Sequence, residues 1–408
     1  MRLFLAAALL ALPAALHANP MSLDEALRLA ETRAPEMQAR EAGIDAALSA
    51  SIAAGRLPDP KLDLALRDFP VTGPDAGRLG RDDFTMQVIG ISQDVPNLAK
   101  RRARAVRAQA DIGIAEAERT IVAQDVRLAT ALAWIDLHFA KKRLKELDLL
   151  DTGLDELQAT VTARLASGSA RPAQALEPEQ LRAELADRRS TLAADVARFR
   201  AQLARYTGDA AADTVGALPP LTVDGAGLRG GLSALPRLGG YDARIAAADA
   251  ETGLARAEKR PDWSVNAAYG RREPNFGDLF TVGVTIDLPL FARKRQEPKI
   301  AARASEATQA RLEREAAERE IAAALTADLA THRMHDEQLA NARTRLVPLA
   351  KKRAQLDLES YGAGRLDLGT ALLSTLALAE AEVDALAREA EVARDAVRIK
   401  FTYGEEAR

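Results

Sequence analysis

The pattern of apolar and polar positions changes period several times along this chain, and each change marks an element. From Leu23 to Ala53 apolar residues recur at helical spacing, with Ser22 placed as an N-cap and Glu25 at the capping-box position; Gly55 and Pro58 close the segment. The period then drops to two. Leu62, Leu64 and Leu66 alternate with Lys61, Asp63, Ala65 and Arg67, which predicts a strand with one apolar face. A weaker strand follows, in which Phe84, Met86, Val88 and Gly90 alternate with Thr85, Gln87 and Ile89. Beyond Pro96 a helical pattern runs unbroken to about Ala166, roughly 100 Å at 1.5 Å per residue. A further helix is predicted from about Pro172 to Tyr206.

Much of this then happens again. Trp263, Val265, Ala267 and Tyr269 alternate with Ser264, Asn266, Ala268 and Gly270. Phe280, Val282, Val284, Ile286 and Leu288 alternate with Thr281, Gly283, Thr285 and Asp287. Helices are predicted from about Pro298 to Tyr361 and from about Leu368 to Phe401. The stretch Gly90-Ile91-Ser92-Gln93-Asp94-Val95-Pro96 returns as Gly283-Val284-Thr285-Ile286-Asp287-Leu288-Pro289, and each is followed by a basic cluster, Lys100-Arg101-Arg102 and Arg293-Lys294-Arg295. Leu57-Pro58-Asp59 is answered by Arg260-Pro261-Asp262, and Leu165-Ala166-Ser167-Gly168 by Tyr361-Gly362-Ala363-Gly364. A duplication of this size is a fold-level signal. It divides the chain into a first repeat over 19–208, a Gly-, Pro- and Leu-rich connector over 209–240, and a second repeat over 241–408. The first copy carries the longer hairpin loop, within 67–83, as expected where insertions collect.

Composition narrows the setting. Met1-Arg2, the apolar run Leu3 to Leu16 and the small residue Ala18 read as a signal peptide over 1–18, cleaved after Ala18. The chain has no cysteine, so an acyl anchor on an N-terminal cysteine is excluded. The net charge of −3 argues against a nucleic-acid surface. Aromatic residues make up 4% of the chain, too few for an ordinary globular core, and alanine is abundant, so thin helical cores are expected. No later apolar run is long enough for a spanning helix; a membrane-crossing version of this chain must use strands. Two hairpins give four strands, too few to close a barrel in one copy.

The strand-to-helix junctions Asp94-Val95-Pro96 and Asp287-Leu288-Pro289-Leu290-Phe291, the Leu57-Pro58-Asp59-Pro60 segment and the Tyr361-Gly362-Ala363-Gly364 turn together resemble the TolC family of outer-membrane channel-tunnels, over essentially the whole mature chain. The resemblance implies a mainly α fold with a small β part. It further implies a homotrimer with a twelve-stranded barrel in the outer-membrane lipid and a helical tunnel in the periplasm, serving a periplasmic adaptor and an inner-membrane RND-type pump. Leu57-Pro58-Asp59-Pro60 and Gln93-Asp94-Val95-Pro96 with Lys100-Arg101 are most similar to the CzcC-type heavy-metal branch. Drug efflux and type I protein secretion share the fold. A periplasmic coiled-coil adaptor or structural protein is the reading in which the hairpins do not meet lipid.

A channel needs no catalytic residue or cofactor, and the sequence offers no constellation for either. By resemblance, the turns Ser167-Gly168-Ser169-Ala170 and Tyr361-Gly362-Ala363-Gly364 form the periplasmic tip where the tunnel narrows and the adaptor docks. Asp367, Thr370 and Ser374 occupy the region of a gate, with Asp367 the one acid close to the turn in sequence. Gly153 and Pro348 mark equivalent weak points at which the long helices are expected to bend. His332-Arg333-Met334-His335 puts two histidines three apart, able to share a helix face, but no third ligand is evident nearby; these read as solvent-facing residues on a charged helix.

Overall fold

The computed structural model describes residues 19–79, 81–168 and 171–404. Residues 1–18, read above as a signal peptide, and Ser169 and Ala170 of the first turn lie outside them. In chain order the elements are β1 (Asn19–Met21), α1 (Leu23–Arg33), α2 (Pro35–Ala54), β2 (Lys61–Arg67), β3 (Met86–Val95), α3 (Leu98–Ala166), α4 (Glu177–Thr207), β4 (Ala212–Thr214), α5 (Gly225–Gly231), α6 (Pro236–Ala257), β5 (Trp263–Arg271), β6 (Leu279–Ile286), α7 (Gln296–Asn341), a π turn (Ala342–Leu346), α8 (Val347–Gly362) and α9 (Leu368–Tyr403). The protein is mainly helical with a small β part.

The first helical segment is two helices rather than the single one expected. Ala34 leaves the helix with φ −61° and ψ 125°. Pro35 explains this, because a proline ring pushes the preceding residue out of the α region. The connector has elements of its own. It holds β4, which pairs in parallel with β1, and the short helix α5.

The chain forms two compact units, and each draws on both sequence repeats. One comprises residues 40–121 and 236–319. It contains a four-stranded antiparallel sheet in the order β2-β3-β5-β6, so β2 and β6 are edges. Its helical part buries small side chains, among them Ala247, Ala250, Ala255, Ala307 and Ala317. Small residues let helices approach closely at little cost in helix propensity.

The other unit comprises the described residues within 19–39, 122–235 and 320–404. Its largest core joins α1, α3, α4 and α9 through Trp134, Leu137, Leu203, Val397 and Phe401. A second core runs along α3, α4, α8 and α9 through Leu154, Val161, Leu185, Tyr361, Leu368 and Leu372. No helix among the described residues is long and apolar enough to cross a membrane.

Candidate functional site

One face of the sheet carries side chains that a water-soluble protein would hide. Leu62, Leu64 and Leu66 on β2 stand beside Ile91 and Ile89 on β3, then Tyr269 and Val265 on β5, then Phe280, Val282, Val284 and Ile286 on β6. All are exposed; Leu64 is 69% and Val282 68% accessible. A contiguous apolar patch of this size marks an interaction surface. The opposite face carries Asp63, Gly90, Ser92, Asp94, Asn266, Thr281, Gly283 and Thr285. Lys61 and Asp94 form an ion pair there at 2.7 Å.

The faces correct the sequence reading of β3. That strand begins at Met86, not Phe84, and its apolar face is formed by Ile89 and Ile91, not by Val88 and Gly90. Val88 and Ile89 are adjacent and both apolar, so local alternation does not choose between them. The register does: Leu64 pairs with Ile89 and Leu62 with Ile91. A slip of one residue exchanges the faces. Gly90 then turns toward β5, where an added Cβ meets that of Ala268 at 3.2 Å.

Below the sheet, the first strand-to-helix junction is clasped by Asp262. Its Oδ1 accepts from the Asn97 backbone N–H and side-chain amide, both at 2.8 Å, and its Oδ2 accepts from Lys100 at 2.5 Å. Asn97 also caps α3, accepting from the Lys100 N–H at 2.8 Å. Burial alone pushes the Asp262 carboxyl up, but the Asn97 N–H, Lys100 and the Asn97 amide together hold it below its ordinary value. Asp94 and Pro96 lie on the strand and linker that lead into this clasp, and Asp287 and Pro289 at the equivalent places after β5 and β6. The Asp287 N–H donates to the Asp262 carbonyl at 2.8 Å.

At the far end of α3, the Ser167 N–H donates to the Ala163 carbonyl and Gly168 adopts φ +73°. The second turn closes α8 in the same way. The Gly364 N–H donates to Tyr361 and the Arg365 N–H to Ser360, with Gly364 at φ +72°. Positive φ is the conformation in which glycine ends a helix at least cost. Tyr361 is buried in the core, while Gly362, Ala363 and Gly364 are exposed. Asp367 caps α9, accepting from the Thr370 N–H at 3.0 Å and from its hydroxyl at 2.7 Å. Ser374 is buried and donates to the Ala371 carbonyl at 2.9 Å.

Asp367 is not the one acid at this turn. Glu177, in the first turn of α4, stands beside it and beside Gly369, nearly two hundred positions away in sequence. Burial, then the charge of Asp367, pushes the Glu177 carboxyl above its ordinary value, and its Oε2 is buried without a hydrogen-bond partner among the described residues. A carboxyl whose value is higher folded than unfolded contributes stability that is present at low pH and lost as pH rises through the folded value. Glu177→Gln is therefore expected to be the more stable protein near neutral pH, by less than about 1 kcal/mol because the site is partly exposed. Thermal unfolding of variant and parent at two pH values checks it; the difference should vanish below the ordinary value of 4.5.

Pro348 lies just inside α8, immediately after the π turn. Proline lacks the N–H of the helical ladder and crowds the carbonyl four residues back, here Thr344, and widening to a π turn relieves that crowding. Arg343 in the π turn reaches Glu389 on α9 at 2.5 Å. The adjoining cavity, of about 350 Å³, is lined by Glu146, Arg343, Val347, Glu382 and Glu389. α3 continues through Gly153 as α-helix.

The histidines are not free on a solvent face. His335 Nδ1 lies 2.7 Å from a carboxylate oxygen of Asp395, which is buried. His332 is half-buried. Among the described residues no cluster of three potential ligands forms around them or elsewhere.

Neither a protein-family model nor a curated protein sequence matches the chain. Solved structures do. The CmeC outer membrane channel of Campylobacter jejuni superimposes with a TM-score of 0.76 at 13% identity, over 94% of this chain and 85% of that one. The outer membrane protein VceC of Vibrio cholerae gives 0.74 at 16% identity, over 94% and 96%. The open state of the MtrE outer membrane channel of Neisseria gonorrhoeae gives 0.74 at 15% identity, over 95% and 90%. The chain has the TolC-like channel-tunnel fold. At these identities the likeness concerns fold. Within the channel-tunnel fold, the two strand hairpins and the two glycine turns are the features that the sequence had singled out, and Glu177 is the one that it missed. No local signal marks Glu177, because its neighbour Asp367 reaches it through helix packing alone.

Proposed function

We propose that this protein is the outer-membrane exit duct of an efflux system. Three copies complete a twelve-stranded barrel in lipid, and their helices form a passive conduit reaching toward a periplasmic adaptor and an inner-membrane RND-type pump. The observation that carries the reading is the four-stranded sheet, apolar and exposed on one face, polar or small on the other, and open at both edges. A spanning sheet cannot leave backbone groups unpaired in lipid, so its edges must be closed by further copies. The fold shared with outer membrane channels supports the same reading.

Heavy-metal cations are the proposed cargo. The junction sequences support this, as does the Asp367–Glu177 pair, which places two carboxyl groups at one helix turn and favours cations nearby. The turns at Ser167–Ala170 and Tyr361–Gly364 are the proposed tip and docking surface, with Asp367, Thr370 and Ser374 in the gate region and Pro348 and Gly153 as bends above it.

Deletion of the gene is expected to lower tolerance to heavy-metal salts, and the intact gene to restore it. Complementation with Gly168→Val combined with Gly364→Val is expected to fail although the protein still inserts. An added Cβ meets nothing within 4 Å at either glycine, so the penalty is confined to the left-handed backbone, roughly 1–2 kcal/mol per site. Unchanged metal tolerance with new sensitivity to organic drugs would transfer the duct to drug efflux. Full complementation by the double variant would remove these turns from the docking surface.

A further inference from the structure

The two hairpins are the same hairpin in register. Lys61 faces Ser92 and Leu62 faces Ile91; at the repeated positions Ser264 faces Thr285 and Val265 faces Val284. β5 is thus the counterpart of β2, and β6 of β3. The pairing of β3 with β5 is where the two repeats meet inside one chain, with Asp94 opposite Ser264, Ile91 opposite Ala267 and Ile89 opposite Tyr269. The free edges β6 and β2 are the counterparts of that same pair.

We propose that β6 of one copy pairs with β2 of the next in the register that β3 and β5 use, and that Arg293 of one copy clasps Asp59 of the next as Lys100 clasps Asp262. The proposal rests on the reading of the chain as an oligomeric barrel and assigns how its subunits join. Replacing each residue of the internal pair by its counterpart puts Asp287 opposite Lys61 of the partner subunit, Thr285 opposite Asp63 of the partner subunit, Val284 opposite Leu64 of the partner subunit and Val282 opposite Leu66 of the partner subunit.

Three features favour this register. Ile286, Val284 and Val282 of β6 then meet Leu62, Leu64 and Leu66 of the partner subunit, all exposed and apolar, on one face, which a slip of one residue would undo. Opposite charges meet at Asp287 and Lys61, where cross-strand pairs are stabilising. The two members of the proposed clasp also stand ready: Asp59 and Arg293 are exposed and have no ion-pair partner among the described residues, while Lys100 and Asp262 are 21% and 22% accessible in theirs. The counterpart of Asn97 is Leu290, whose side chain cannot donate to the carboxylate. Arginine in place of Lys100 answers that loss, because its planar fork can serve both carboxylate oxygens.

The chain has no cysteine, so introduced pairs report without background. Val284→Cys with Leu64→Cys is expected to oxidise to a covalent trimer in membranes, and Val284→Cys with Leu62→Cys or with Leu66→Cys to do so at least about tenfold less. These residues lie on opposite edges of one sheet, so any bond joins two copies. A native trimer crosslinked through a shifted pair overturns the register and leaves the oligomeric barrel standing. A monomer with no crosslink in any pair overturns both. For the clasp, Arg293→Asp is expected to lower trimer yield about tenfold, one decade of an equilibrium constant, and Asp59→Arg added to it to restore assembly. Normal assembly of the single variant, or no recovery in the double, overturns the clasp.

Discussion

Arginine at both Leu64 and Val282 is expected to empty the outer-membrane fraction of this protein. Both residues are largely exposed on the apolar face of the sheet, and each sits in mid-strand. If that face meets hydrocarbon, each arginine near the bilayer midplane costs about 2–4 kcal/mol. Two together cost about 4–8 kcal/mol, comparable to the lower half of the stability margin of a folded chain, about 5–15 kcal/mol. The same residue at Thr281, on the opposite face of β6, is expected to leave insertion intact. Quantitation of detergent-extracted protein from outer membranes checks the pair. Equal recovery of Leu64→Arg/Val282→Arg and Thr281→Arg would show that the apolar face does not meet lipid.

Trp134→Ala is expected to produce the largest loss of stability of any single change in the helical unit. Trp134 is fully buried, its ring stacks on His138 at 4.9 Å, and its indole N–H donates to the Met21 carbonyl at 3.0 Å. Truncation of a buried tryptophan costs about 3–5 kcal/mol. The Met21 carbonyl keeps one partner, the Val215 N–H at 3.1 Å, so β1 remains anchored beside β4. Trp134→Phe retains most of the packing and loses the hydrogen bond, at about 1 kcal/mol. Thermal unfolding in detergent ranks the three proteins, and a fall of less than a degree for Trp134→Ala would contradict this packing. The stacked His138 adds a pH dependence. Burial, then the charges of Lys142 and Lys141, pushes it down to about 4. A base with a lowered value contributes stability that is lost as pH falls, here between its ordinary value of 6.5 and about 4.

Local chemistry in the sequence determined the elements and their order. The prolines after the strands, the glycines after the long helices and the alternation in β2, β5 and β6 are statements about φ, hydrogen-bonding capacity and side-chain direction, all of which act within a few residues. The long helix from Leu98 to Ala166, the turn glycines Gly168 and Gly364 and the duplicated hairpin were legible for that reason. Where two local signals conflicted, reading along the chain failed. Pro35 broke a helix whose apolar pattern continued past it, and adjacent Val88 and Ile89 left the face of β3 open. The tertiary structure decided what depends on neighbours remote in sequence. Pairing with β2 and β5 fixed the face of β3. Helix packing brought Glu177 to Asp367 and Asp395 to His335, and the two compact units cut across the two repeats. Such pairings are set by burial and by the closure of backbone hydrogen bonds between distant segments, and neither quantity is a property of any short stretch of the chain.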